Sequence, residues 1–265
     1  MNAVSITGCG LLGPGFDDWH SAQALLRGDA EWAHAPTRIL APELLPPAER
    51  RRIGAVVKLA LDVGVQAARA ANADTRTLAT VFASSSGDGA NCHAICAMLA
   101  GADRLLSPTR FHNSVNNASA GYWGIATGAQ ATSTIVSAHD GSFAAGLVEA
   151  TTLAVSLTQP VLLVAYDHPY PEPLAATRPL TDAFAVALVL EPAPTAEAGH
   201  PRLTLTGFTA RPADRAPGAL EALRVGNPAA RSLPLLAALA TRQTGAVALD
   251  YLDDLRLNLT VEAGA

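Results

Sequence analysis

Cysteine is scarce in this chain of 265 residues. The set of Cys9, Cys92 and Cys96 is too sparse, and odd in number, for the disulfide framework that stabilises many secreted domains. We therefore expect a cytoplasmic protein. Cys92 and Cys96 stand four residues apart in a run of helical character, and no second ligand pair follows at the spacing of a zinc site. This pattern predicts two buried helix cysteines and no metal.

Long apolar runs and dense charge are missing as well. The nearest approach to a membrane span, residues 160–165, is far shorter than the roughly 18 to 20 residues that a span needs. No basic and apolar leader follows Met1. Charged residues make up 15% of the chain, the formal net charge is −5, and the basic cluster Arg50–Arg52 is typical of a solvated helix start. We expect no membrane span, no secretory signal and no nucleic-acid partner.

What the chain does have is a high apolar content, 49%, in segments that alternate between strand and helix patterns. Strand-length runs that are apolar throughout are typical of strands buried on both faces. The alternation predicts an α/β layered fold with a mixed sheet. The predicted strands cover residues 3–7, 78–83, 134–136, 161–166, 183–190, 203–208, 247–251 and 256–261. The predicted helices cover about 48–72, 91–99, 118–127, 141–156 and 227–242.

The most informative stretch, Ser133–Ala150, passes from a β-branched run through small and polar residues into an alanine-rich run. It predicts a strand, a tight elbow and a helix. Such an elbow aims one side chain at a helix N-terminus, where free N–H groups and the helix dipole stabilise negative charge. His139 stands at that position, with Asp140 and Ser142 beside it. We expect His139 to fill the elbow pocket and Asp140 to point away from it.

Three glycines near the start of the chain have the spacing of a dinucleotide-binding fingerprint. Gly8, Gly10 and Gly13 follow the first predicted strand. However, Pro14 and Gly15 delay the helix that the fingerprint requires, and no strand ending in a ribose-binding acid follows at the right distance. We therefore interpret the spacing as coincidental and expect no cofactor.

Several segments of this chain, taken in order, resemble the β-ketoacyl synthases. They are Val4–Gly10, residues 108–128 with Asn116–Gly121, the elbow 137–142, Val161–Tyr166 and Phe184–Glu191. Each motif is weak alone, but together they span residues 3 to about 208 in the order of the family. The resemblance implies a thiolase-like layered fold with mixed sheets, its second half truncated. It implies a single domain over 1–265, with an N-terminal-like half (1–208) and a shortened second half (209–265).

The departures from the family concern its chemistry. The reactive cysteine of the family falls on His139, which could not hold a comparably long-lived thioester. The family also uses two histidines from its second half, whereas the last histidine here is His200. The resemblance therefore implies that the chain is not a condensing enzyme on its own. Synthase-like subunits without the cysteine are chain-length factors, which pair with an active ketosynthase and shape its acyl tunnel.

Within that group, Phe111–Asn117 and Ser142–Gly146 resemble subunits of aryl polyene and xanthomonadin-type pathways. The resemblance implies a heterodimer with an active β-ketoacyl synthase, which contacts acyl carrier protein only indirectly, in type II fatty-acid or polyketide-like biosynthesis. The elbow strand is β-branched and uncharged, which suits pairing across a subunit interface. We expect these residues near the tunnel or the interface: Phe111, His112, Val115, Asn116, Thr134 and Val136.

Other functions stay open from the residues alone. His139 and Asp140 are a candidate acid–base pair for a homodimer that binds acyl groups or carries weak decarboxylase-like or hydrolase-like chemistry. Ser142 follows a glycine, as the nucleophile of a hydrolase would, but the second glycine of that motif is missing. A chain-length factor would co-purify with a cysteine-bearing ketosynthase and be inactive alone. A homodimer with its own chemistry would not need the ketosynthase and would be active alone.

Overall fold

The described residues form eight strands of one sheet in the computed structural model, which describes residues 3–102, 104–193 and 199–264. The strands are β1 (Ala3–Leu12), β2 (Ala79–Ala83), β3 (Ser133–Val136), β4 (Val161–Asp167), β5 (Phe184–Pro192), β6 (Arg202–Thr209), β7 (Gly245–Asp250) and β8 (Arg256–Glu262). The α-helices are α1 (Trp19–Arg27), α2 (Pro47–Arg50), α3 (Ala55–Ala70), α4 (Gly89–Ala100), α5 (Pro108–His112), α6 (Ala118–Thr127), α7 (Ser142–Leu157), α8 (Leu174–Thr177), α9 (Leu220–Gly226) and α10 (Leu233–Ala240). Two short 3₁₀ helices cover His139–Gly141 and Ala229–Ser232.

The sheet is mixed, as the sequence predicts. Its strand order is β3-β2-β4-β5-β1-β6-β8-β7. Strand β2 pairs in parallel with β3 and with β4, and the other pairs are antiparallel. Strands β3 and β7 therefore lie at the two edges. The loop residue Asp214 covers part of the β7 edge, because its backbone N–H donates to Ala248 and its carboxylate accepts from the backbone N–H of the same residue.

Two hydrophobic layers enclose the sheet. Strands β2, β4 and most of β5 are apolar and buried on both faces, which requires cover on both sides. One core joins the sheet to α1, α7, α9 and α10, and the other joins it to α3 and α6. Each fully buried leucine or valine in these layers contributes about 1.5 to 3 kcal/mol of hydrophobic stabilisation. The elbow before α7 is therefore held between the sheet and the C-terminal helices.

Strand β1 runs on through the glycines that the sequence placed in a turn. It ends at Leu12 rather than at Thr7. A Cβ atom on Gly8 would collide with the carbonyl oxygen of Ala67, and one on Gly10 with that of Val63. The two glycines therefore allow α3 to lie directly on the strand. Their spacing is explained by this packing, and they form no phosphate-binding loop.

We expect Gly8→Ala to lower the free energy of unfolding by about 3 kcal/mol, because a backbone oxygen of α3 cannot move away as a flexible side chain could. Urea denaturation would measure the loss. Gly245→Ala is the matched control, since a Cβ on this strand glycine meets nothing within 4 Å. Equal stability of the two variants would contradict the proposed role of Gly8.

The long helices differ from the sequence predictions at specific breaks. The helix predicted over 48–72 is two helices, α2 and α3, separated at 51–54, and Gly54 is the N-cap of α3. The helix predicted over 227–242 begins as a 3₁₀ turn and becomes α-helical at Leu233, with Pro234 in its first turn. Proline fits the first turn of a helix but not its interior, which explains where the second break falls.

Candidate functional site

The predicted strand, elbow and helix around His139 are present. Strand β3 ends at Val136, the 3₁₀ helix spans His139–Gly141, and α7 begins at Ser142. His139 has a φ of 49°, in the left-handed region that non-glycine residues rarely adopt. The elbow is tight on its inner side as well, because a Cβ on Gly141 would lie 2.6 Å from the carbonyl oxygen of Tyr251. The geometry thus holds one strained residue at the tip of the turn.

Ser142 fastens this elbow from the inside. Its side chain is buried, and its Oγ donates to the carbonyl oxygen of His139 at 2.7 Å and accepts from the N–H of Ala138 at 2.9 Å. Both hydrogen bonds close the turn that presents His139. The hydroxyl is therefore engaged within the elbow and is not displayed at the surface.

His139 does not fill a pocket, which corrects the expectation from the sequence. Its side chain is 71% exposed. Asp140 does not point away either, since His139 Nδ1 lies 3.5 Å from Asp140 Oδ1. The reason is the left-handed backbone at His139, which turns its side chain outwards over the start of the helix. Across the described ranges, no group of three or more histidine, cysteine or acidic residues could hold a metal ion.

Asp140 joins the elbow to two distant parts of the chain. Its carboxylate accepts from Arg178 Nη2 and from Arg231 Nη2, each at 2.9 Å. Arg231 continues to Asp250 at 3.3 Å, and Asp250 also pairs with Arg256. The pairs extend further to Arg224 and Glu221. The elbow is therefore anchored to the C-terminal strands by a network of partly buried ion pairs.

We expect Asp140→Asn to lower the free energy of unfolding by about 1 to 2 kcal/mol, because two partly buried guanidinium groups lose a shared carboxylate. Urea denaturation at low and high salt would measure this, with a smaller loss at high salt. The control is His139→Asn. Asparagine tolerates the left-handed conformation, so the free energy of unfolding of this variant should stay within about 0.5 kcal/mol of the parent value. A loss in the control as large as in Asp140→Asn would show that the turn, and not the ion pairs, is responsible.

A second polar cluster lies at the same end of the sheet, where β2, β3 and β4 finish. Asp167, the last residue of β4, is buried, and its Oδ1 accepts from Ser85 N at 2.9 Å, Ser85 Oγ at 2.7 Å and Ser84 Oγ at 3.2 Å. Ser84 N donates in turn to the carbonyl oxygen of Val136, where β3 enters the elbow. Asp167 Oδ2 has no hydrogen-bond partner in the described part of the chain. Sequence reasoning singled out neither Asp167 nor its contact with Ser84.

Burial sets the ionisation of this cluster. It raises the pKa of Asp167 to about 6, although the hydrogen bonds from Ser85 and Ser84 and the charge of Arg178 lower it. Tyr170 closes the cluster by donating to Ser86 Oγ at 2.6 Å. The cluster ties the end of β4 to the loop that leads into α4.

Three of the residues predicted near the tunnel meet in one surface groove. Phe111, His112 and Val115 line a groove of about 560 Å³ together with the α6 residues Gly121 and Ile125. Phe111 is 65% exposed and Val115 53%. The ring of His112 packs edge-on against Tyr122, with the ring centroids 6.2 Å apart. The groove is therefore apolar, open and built from two adjacent helices.

The other three predicted residues lie closer to the elbow. Asn116 is not in the groove lining, and its Nδ2 reaches Ser137 Oγ at 3.5 Å. Thr134 and Val136 are half-buried in β3 and pair with β2 on one side. No strand of the described ranges pairs with the other side of β3. The structure thus divides the six residues between a groove, the elbow and a free sheet edge.

The surface next to the groove includes an apolar helix with almost no buried face. Asn91 is the buried residue of α4. Cys92 and Cys96 are exposed on this helix, which corrects the prediction that they are buried. The sequence pattern was misleading because α4 is apolar on all sides yet lies at the surface. Among the helices that the structure describes, none is both long enough and apolar enough to cross a membrane.

Comparison of the sequence and of the structure with known proteins identifies the family. The family model of the β-ketoacyl synthase N-terminal domain matches residues 18–247. A search of curated protein sequences found no match. One similar structure is the complex of the ketosynthase ApeO with its chain length factor ApeC from Xenorhabdus doucetiae, at 26% identity and a TM-score of 0.74. That alignment covers 97% of this chain and 99% of the matched chain.

More distant structures share the fold. The ishigamide ketosynthase/chain length factor aligns at 15% identity and a TM-score of 0.75, over 99% of this chain and 100% of that one. A β-ketoacyl synthase from Burkholderia phymatum aligns at 17% identity and a TM-score of 0.60, over 90% of this chain and 71% of that one. The fold is therefore the thiolase-like fold of ketosynthases. Because the family model covers most of its length, this chain belongs to the β-ketoacyl synthase family.

Proposed function

We propose that this protein is a non-catalytic, chain-length-factor-like subunit that pairs with an active ketosynthase. The observation that carries the proposal is the elbow. It keeps the strand, turn and helix of the family, but an exposed histidine stands at its tip, and the neighbouring hydroxyl is used inside the turn. Imidazole cannot replace a thiolate as a long-lived acyl carrier. The scaffold is kept and the covalent step is absent.

The surface around β3 supports a protein partner. The edge strand offers unpaired backbone groups, which a second chain can satisfy. Exposed large apolar residues line the groove of α5 and α6, and α6 contacts β3. These residues are Phe111, Val115 and Ile125. A ketosynthase that pairs along β3 would cover them.

The groove beside that edge gives the subunit its role in this proposal. An open apolar groove at a subunit interface becomes a closed channel when the partner covers it, and an acyl chain is the ligand that suits such a channel. Phe111 and Val115 would line the far part of the partner's tunnel and limit the acyl chain. Acyl carrier protein would contact the complex through the ketosynthase.

The proposal extends to the pathway and the chain organisation. The pathway is type II fatty-acid or polyketide-like biosynthesis, of the aryl polyene or xanthomonadin type. The segment Phe111–Asn117 supports this, because it resembles the subunits of those pathways. The similarity to the ApeO and ApeC complex supports the pairing. Residues 1–208 would form the N-terminal-like half of one domain and 209–265 a shortened second half.

The test is co-expression with an active ketosynthase of a type II system that carries the catalytic cysteine. Size-exclusion chromatography with mass detection should give a one-to-one complex, and elongation of malonyl units on acyl carrier protein should require both chains. His139→Asn in this chain should leave elongation unchanged. A mutant ketosynthase without its cysteine is the control and should be inactive. Elongation by the ketosynthase alone would overturn the proposal.

The second candidate function is a homodimer that binds acyl groups or carries weak decarboxylase-like or hydrolase-like chemistry at His139. The approach of His139 to Asp140 favours it, because a carboxylate orients an imidazole in many acid–base pairs. Against it, two arginines already hold Asp140. A stable homodimer that ignores the ketosynthase and loses an activity in His139→Asn would support this function instead.

A further inference from the structure

A separate cavity lies in the other half of the sheet. It has a volume of about 230 Å³, which is the liquid volume of roughly eight water molecules. Strand β1, α1, the end of α10 and the end of β8 surround it. Strands β2, β4 and β5 stand between β1 and the free edge at β3. The cavity is thus remote from the elbow, the groove and the proposed interface.

An irregularity in β1 opens this cavity. The register between β1 and β5 shifts between Ile6 and Gly8, so Thr7 is an extra residue in the strand. The pairing of β1 with β6 covers Ala3 to Ser5 and does not reach the cavity residues Thr7 and Cys9. Gly8 turns towards α3, which leaves its neighbours on the cavity side. The bulge therefore places Thr7 and Cys9 in the wall of the cavity.

The polar groups of the wall lack partners. Thr7 Oγ1 is buried and has no hydrogen-bond partner in the described part of the chain. The same ranges contain no side-chain hydrogen bond or ion pair for four further lining residues, Trp19, Gln23, Arg242 and Gln243. Thr7 Oγ1 is closed off from solvent and is not within reach of a ligand, whereas the side chains of Gln23, Arg242 and Gln243 are half-buried or exposed and are free to donate. The wall is therefore prepared to donate hydrogen bonds.

The charge of the wall selects the ligand. Among the residues that the structure describes, Arg242 is the charged residue of the lining and is exposed, and this part of the chain contributes no aspartate or glutamate to the lining. Glu262, next to the lining residue Val261, is paired with Arg202. Ile6, Leu239 and Val261 make the inner part apolar. An anionic head at Arg242 and a short apolar tail inside would match this distribution.

We propose that this cavity binds a small aliphatic carboxylate, with its head on Arg242 and its tail among Ile6, Leu239 and Val261. The side-chain amides of Gln23 and Gln243 belong to the same lining and can donate to the ligand. The site does not depend on the elbow or on a ketosynthase partner. It gives the fold a second ligand site, on the face that α1 and α10 cover.

Calorimetric titration with hexanoate tests the proposal, using the protein in the assembly in which it is isolated. Hexanoate should bind with a Kd on the order of 1 mM or lower, and 1-hexanol more weakly. Arg242→Ala should weaken hexanoate binding by about tenfold or more. The matched control, Arg51→Ala, removes an exposed arginine elsewhere on the surface and should change nothing.

Two filling variants locate the site. Ala238→Leu places a larger side chain in this cavity and should abolish binding. Ala219→Leu makes the same change in a separate surface pocket and should leave hexanoate binding unchanged. Equal hexanoate affinity in the parent and in Arg242→Ala would overturn the proposal. Unchanged binding in a folded Ala238→Leu would overturn it as well, and loss of that binding in Gly121→Phe would then place hexanoate in the groove.

Discussion

Gly121→Phe, in the complex with the ketosynthase, is expected to shorten the acyl product by at least one elongation step. Gly121 lies in the middle of α6 and lines the groove, and a Cβ there would meet nothing within 4 Å. A glycine inside a helix costs about 1 kcal/mol relative to alanine, so the empty space above it needs another reason. A passing acyl chain is that reason in the proposed function. Mass spectrometry of the products bound to acyl carrier protein would measure the change.

Two companion variants separate filling of the groove from an effect on the helix. Gly121→Ala restores helix propensity and adds little volume, so the product should keep its length while the helix gains about 1 kcal/mol. Phe111→Ala enlarges the same groove from α5 and should lengthen the product. If Gly121→Phe and Gly121→Ala give the same products as the parent in an active complex, the acyl chain does not use this groove.

The elbow could be predicted from the sequence because its signals are local. The β-branched residues at 134–136 favour an extended backbone, and the small residues that follow allow a sharp turn into the alanine-rich run of α7. Strands β2, β4 and β5 were predictable for a similar reason, since short apolar runs fit a sheet buried on both faces. Their identity as strands follows from patterns within ten residues.

The chemistry of the elbow could not be predicted in the same way. Asp140 meets Arg178 and Arg231, which stand 38 and 91 residues further along the chain. The exposure of His139 depends on a left-handed backbone that histidine seldom adopts. The prediction that Cys92 and Cys96 are buried was wrong because an apolar helix at an uncovered surface has the same sequence pattern as a buried one. These features depend on contacts between distant segments or on a partner.

Asp167 shows what a better reading of the sequence could have found. An aspartate ends the apolar run Val161–Asp167, and three serines follow the strand Ala79–Ala83. The ends of parallel neighbouring strands meet at one edge of a sheet, so a carboxylate and hydroxyl groups at those ends are expected to meet. The parallel pairing of β2 and β4 brings them together. The shift of the pKa, however, depends on complete burial, which the pattern does not reveal.

Asp167→Asn is expected to remove a pH dependence of stability that the parent shows between about pH 4 and pH 7. The pKa of Asp167 is about 6 in the folded protein and has an ordinary value of 3.8. Between about pH 4 and pH 6 the folded state therefore binds this proton, whereas the unfolded state does not. Stability from this group rises as the pH falls from 7 towards 4, by up to about 3 kcal/mol. Urea denaturation across that range, for parent and variant, would measure the difference.

The test of this prediction is how the free energy of unfolding changes with pH, and not its value at any one pH. Asparagine keeps the acceptor for Ser84 and Ser85 but places an N–H₂ group where Oδ2 had no partner. At any single pH, the change in the free energy of unfolding therefore combines the lost charge with the cost of the unpaired N–H₂ group. The difference between variant and parent should be most favourable to the variant at pH 7 and fall as the pH approaches 4. Asp167→Ala is the control, since it removes the acceptor and should destabilise the protein at every pH. A difference between Asp167→Asn and the parent that is constant with pH would show that Asp167 does not bind this proton. The ionised carboxylate at neutral pH would then have to be stabilised by contacts other than Ser84, Ser85 and Arg178.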